Sequence, residues 1–130
     1  MNNSIFSSSK YFFYFSLIVL FILYLFPGSL IGYFLYGNLD TQPDLISNPL
    51  GTSINHLISF FYLSILGFMF RIYQEKFINS FSFLFLASII LEVLHYFIPN
   101  RAFELNDLYA NSAGVVFAFV LCNFLKRIMS

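Results

Sequence analysis

Long uncharged stretches alternate with short polar breaks along this chain. Residues 11–39 and 45–70 carry no charged side chain, and neither do 77–91 and 108–125. As a single helix, 11–39 would run about 43 Å at about 1.5 Å per residue, longer than the ~30 Å apolar layer of a bilayer. Pro27 and Gly28 divide it. The pattern therefore predicts a first span over 10–26 and an interfacial or tilted continuation over 30–36, with Tyr33 and Tyr36 at headgroup level. Asp40, Pro43 and Asp44 mark an aqueous loop over 38–48, and Pro49 suits the first turn of the next helix. Further spans are predicted over 51–70, 77–98 and 105–125. The charged stretch 71–76 and the break at Pro99, Asn100 and Arg101 separate them. Residues 1–9, rich in Asn and Ser, read as a flexible tail. A secretory signal is the weaker reading of the first 28 residues, because its basic region is one lysine and no small-residue cleavage site follows.

Composition turns this pattern into a class. Of the 130 residues 59% are hydrophobic, with 20 Phe and 9 Tyr. A soluble domain this small leaves too much of its surface wet to hide that content. The expectation is an all-α, single-domain integral membrane bundle over 1–130, with four transmembrane helices. Net charge is zero, so no basic field points to nucleic acid. The lone Cys122 excludes an internal disulfide and reads as a small core residue. Four spans would put Lys10, Arg71, Lys76, Lys126 and Arg127 on one side and Arg101 on the other. That asymmetry predicts termini on the cytoplasmic side of the membrane.

The exception to the apolar pattern is concentrated in residues 92–114. Charged residues are 9% of the chain, yet Glu92, Arg101, Glu104 and Asp107 all fall here, beside His95 and Asn111. Helical rise puts His56 about 7–8 Å, and Glu92 and Asn111 about 9 Å, from the outer ends of their spans, with His95 and Asp107 within about 5 Å. Ser88, Glu92 and His95 share one helix face, as do Asp107, Asn111 and Gly114. The small residues 110–114 allow close helix approach. Arg101 is expected to pair with a carboxylate in bidentate fashion. The predicted result is an outward-facing polar pocket of His56, Glu92, His95, Arg101, Asp107 and Asn111. Ionisable groups at such depth are costly and are usually kept for function.

These residues resemble the VanZ-like family of small bacterial membrane proteins, named for a teicoplanin-resistance protein. The family pairs H-x-x-x-F in an early span, here His56 to Phe60, with a later element matched by Glu92, Pro99, Arg101, Phe103, Glu104, Asp107, Asn111 and Gly114. His95 stands where the family usually has Gln. The resemblance covers about residues 50–125. It implies a four-span fold and a cell-envelope role, associated in some members with glycopeptide resistance, and it implies no settled reaction.

Three function classes follow. A binding module would hold a lipid headgroup, a lipid-linked cell-wall precursor or a glycopeptide in the pocket. An enzyme would use His56 and Glu92 as catalytic groups, with the acid–base pair alone or with a metal on His56, Glu92, His95 and Asp107, since Glu92-x-x-His95 has the spacing used in bundle metal sites. A structural or partner-binding bundle would use the polar layer as helix glue. No cofactor is expected, and the balance leans away from catalysis.

Overall fold

A computed structural model describes residues 3–44, 51–72 and 77–129. All of its regular structure is helical: α1 (Asn3–Leu25), α2 (Leu30–Tyr36), α3 (Gly51–Ile72), α4 (Phe77–Leu94) and α5 (Leu105–Met129), with a 3-10 turn at His95–Phe97. Pro49 and the greater part of the expected 71–76 loop lie outside the described residues. Ser8–Leu25, Ser80–Phe97 and Leu105–Met129 are long and apolar enough to cross a membrane, and Ser53–Met69 is a shorter apolar stretch. The molecule is correspondingly apolar on its outside. Phe15, Ile18, Leu86, Phe117, Val120 and Phe124 are all exposed, which suits lipid rather than water.

Two elements differ from the sequence expectation. The segment expected as a tail is helical from Asn3, because Asn and Ser cost a helix only tenths of a kcal/mol each and the apolar run they feed is long. The third span does not continue as α-helix to 98. It tightens to a 3-10 turn at His95 and ends with Ile98 extended, at φ −94° and ψ 127°. Pro99 imposes that geometry on the residue before it. Asn100 then takes a left-handed conformation, φ 59°, which asparagine tolerates, and the chain turns back toward α5.

The break after α1 is equally specific. Gly28 takes φ +101°, and Ser29 caps α2 by accepting from the Gly32 amide at 2.9 Å. The following loop folds back rather than extending away. Ser29 donates its amide to the Leu39 carbonyl at 2.7 Å, and Asn55 donates to the Pro43 carbonyl at 2.5 Å.

α3 and α5 form the most extensive helix pair. The buried positions of α5 are Asp107, Ala110, Asn111, Gly114, Val115, Ala118 and Cys122, spaced as one helical stripe. Small side chains on this stripe let the two backbones approach: a Cβ on Gly114 would lie 2.5 Å from the Leu57 carbonyl oxygen. Below the polar end, Phe60, Leu63, Leu84 and Val115 fill the core. Phe68, Phe81 and Phe119 close the far end, with the Phe81 and Phe119 rings 4.6 Å apart.

Candidate functional site

Polar groups converge where α1 and α4 end and α3 and α5 begin. His56, Glu92, His95, Asp107 and Asn111 are all buried, and Glu92 and Asn111 completely so. Glu92 is the hub. Its Oε1 accepts from the Glu104 amide at 3.2 Å and faces His95 Nδ1 at 3.3 Å. Its Oε2 accepts from Asn111 Nδ2 at 3.2 Å. The Glu104 amide is one of the orphan donors at the start of α5, so Glu92 ties the fourth helix to the fifth.

His95 is fixed by its other nitrogen. Nε2 donates to the Tyr24 carbonyl at 3.0 Å, because a carbonyl only accepts. Its Nδ1 then meets Glu92 either as a second donor or by accepting the carboxyl proton. Either way one proton lies in the contact between Nδ1 and Oε1.

His56 stands between two carboxylates, with Glu92 Oε2 3.6 Å from Nδ1 and Asp107 Oδ2 3.5 Å from Nε2. Tyr24 donates its hydroxyl to Asn111 Oδ1 at 2.8 Å and lies 3.0 Å from His56 Nδ1. With its own proton spent on Asn111, the Tyr24 oxygen is an acceptor for Nδ1–H. Ser53 donates to Asp107 Oδ1 at 2.5 Å, leaving Oδ2 turned to the imidazole.

Arg101 departs from expectation. Among the described residues it forms no ion pair. Its Nη2 donates to the Leu23 carbonyl at 2.7 Å and its Nε to the Phe26 carbonyl at 3.2 Å. Pro27 and Gly28 end α1 and leave its last carbonyls without helical partners, and the negative end of the helix dipole attracts a cation. Burial pulls the guanidinium pKa down from its usual value, while nearby Tyr24 and Glu92 raise it. Arg101→Ala is expected to lower stability by about 1.5–3 kcal/mol, the range for hydrogen bonds to charged groups, measured by thermal unfolding in detergent. Reciprocal exchange of Glu92 and Arg101 should be worse than either single change. Recovery in that double variant would show that the two pair after all.

All six predicted residues therefore meet at one end of the bundle. His56, His95, Arg101 and Asp107 border a cavity of about 400 Å³, together with Asp40 and Glu104. Glu92 and Asn111 lie behind that wall and hold it. Sequence reasoning missed Tyr24 and Ser53. A tyrosine at the end of a span reads as an interfacial anchor, which concealed Tyr24. Ser53, one turn before His56 on the same face, was the available signal.

Ligand atoms of His56, Glu92 and Asp107 lie within 4.8 Å of one another, so these three could hold a cation. His95 lies outside this group of three, although its Nε2 bond to the Tyr24 carbonyl leaves Nδ1 turned toward Glu92. The two carboxylates also face opposite nitrogens of His56.

The fold and this site define a helical membrane protein with a buried polar cluster at one end of an apolar bundle. The chain belongs to the VanZ/LLP1 family, whose model matches residues 11–126. No curated protein and no solved structure matches it significantly.

Proposed function

We propose that this protein binds the polar headgroup of a membrane lipid or lipid-linked cell-wall precursor, from the outer side of a bacterial cytoplasmic membrane. Four spans with cytoplasmic termini are part of this reading, with α3 as the second span and the cavity facing outward. The observation that carries it is the 400 Å³ cavity bordered by His56, His95, Arg101 and Asp107 in an otherwise apolar bundle. Its lining offers donors and acceptors of both charge signs, which suits a headgroup carrying a phosphate and an amine. Binding of this kind gives the chain its envelope role, including any effect on glycopeptide susceptibility.

The test is titration of the detergent-solubilised protein with short-chain phosphatidylethanolamine, phosphatidylglycerol and diacylglycerol. Headgroup-bearing lipids should bind and diacylglycerol should not. His56→Ala should weaken that binding about 10- to 100-fold, the equivalent of one hydrogen bond to a charged partner, with normal insertion and abundance. Equal binding of all three lipids, or binding unchanged in His56→Ala, removes the headgroup reading and leaves a polar layer that serves as helix glue.

A second reading rests on one observation, that His56 lies between Glu92 and Asp107 at the cavity wall. A histidine so placed is suited to take a proton from a bound hydroxyl or water. Turnover of a bound lipid that disappears in His56→Ala, while binding persists, would favour it over simple binding.

A further inference from the structure

The polar cavity is not isolated. A second cavity of about 320 Å³ shares Ser29, Gln42, His56, His95 and Arg101 with it. This second space is walled on its other side by Leu20, Leu23 and Ile58 of α1 and α3. A third, of about 300 Å³, shares Leu20, Leu23 and Ser59 with the second and reaches Phe12, Ser16 and Tyr62. The three spaces thus follow one another from ionisable groups to a mainly apolar lining, along the seam between α1 and α3.

The spacing on α1 is helical: Phe12, Ser16, Val19 and Leu23 fall on one face. On α3, Asn55, Ser59 and Tyr62 fall on the opposing face. Ser59 leaves room in the seam where a larger side chain would fill it, and Ser16 reaches across it, its Oγ 3.5 Å from the Tyr62 hydroxyl. Leu20 and Leu63, both buried, form its floor. From Phe12 to Leu23 the seam rises about 16 Å at about 1.5 Å per residue. That is about half of the ~30 Å hydrocarbon core, and it carries the seam past the middle of the Ser8–Leu25 span.

We infer that the α1–α3 seam holds one acyl chain of a membrane glycerolipid, running from the polar cavity down the face of α1 toward Phe12. This inference rests on the headgroup reading for its direction, and it adds the class of ligand and the route by which that ligand arrives, sideways from the outer leaflet. Two features favour a lipid tail over a protein partner: continuity with a polar cavity at one end, and a mainly apolar lining along the rest of its length. Confined between two helix faces, the chain would be ordered by Ile58, Leu23, Val19 and Phe15 rather than by other lipids.

The intact protein would be reconstituted in vesicles of phosphatidylethanolamine and phosphatidylglycerol, doped with a phospholipid carrying a photoactivatable diazirine in one acyl chain. Labelled residues would be mapped by mass spectrometry. Label is expected on Val19, Leu23, Ser59 and Tyr62 several-fold above that on Leu86 and Phe117, which are exposed on other faces. Ser16→Trp, which fills the seam, should bring seam labelling down to the level of those two. Even labelling of all positions, or crosslinks from the seam to a second copy of the chain, would overturn the inference. Headgroup failure is read separately. If short-chain lipids still bind with headgroup preference while labelling is even, the seam fails and the polar site stands. If a diazirine-bearing diacylglycerol labels the seam as strongly as the phospholipid probe, the seam stands and the polar reading fails.

Discussion

Replacing Glu92 with leucine is expected to destabilise the bundle by about 3–5 kcal/mol, the range for removing one member of a buried charged network. The side chain is fully buried and receives the Glu104 amide and the Asn111 amide while facing His95. Leucine offers none of these an acceptor. Each orphaned group then carries its own desolvation cost. Glu92→Gln should fall between, because it keeps one acceptor oxygen but turns an NH₂ toward donors. Unfolding of the purified protein in detergent would rank the three. A leucine variant as stable as the parent would show that the hub is dispensable to the fold.

Gly114→Ala is expected to be the most damaging single methyl group that can be added to the α3–α5 interface. Its Cβ would lie 2.5 Å from the Leu57 carbonyl oxygen and 2.9 Å from the Phe61 amide nitrogen. Both are backbone atoms, so no rotamer change makes room, and one helix must move. Overpacking costs about 1–3 kcal/mol even where side chains can adjust, and this site should reach or exceed the upper figure. The displacement also carries Asp107 and Asn111, on the same stripe of α5, away from His56, so stability and lipid binding should fall together. Gly67→Ala is the control. There the new methyl meets the Phe13 ring at 2.9 Å and a Leu84 methyl at 3.1 Å, both ends of side chains that can turn aside. A loss at Gly67 equal to that at Gly114 would contradict the backbone argument.

These two residues illustrate different degrees of legibility. Gly114 sits in a run of small residues at helical spacing from Asp107 and Asn111, so its packing role was readable from the pattern. Glu92 was readable as an intramembrane acid sharing a face with Ser88 and His95. Its partners were not. From residue types alone, Arg101 is expected to pair with one of the nearby carboxylates, on the general affinity of guanidinium for carboxylate. The folded chain instead gives Arg101 to the Leu23 and Phe26 carbonyls and gives Glu92 to an asparagine, a histidine and a backbone amide. Backbone acceptors at a helix end leave no mark on residue identity, so a partner search among side chains alone overlooks them.

By itself the sequence determined the apolar helices, the breaks that Pro27, Gly28 and Pro99 impose, and the gathering of ionisable residues toward one end. Those follow from hydrophobic burial and backbone sterics, which act locally and have a period. Only the tertiary structure decided that Tyr24 reaches His56 and Asn111, that His95 is committed to a carbonyl, and that two carboxylates flank one imidazole. Those distances depend on how each helix is rotated about its own axis and how closely it meets its neighbours. A few ångströms separate a hydrogen bond from no contact at all, and residue spacing along one helix does not specify them.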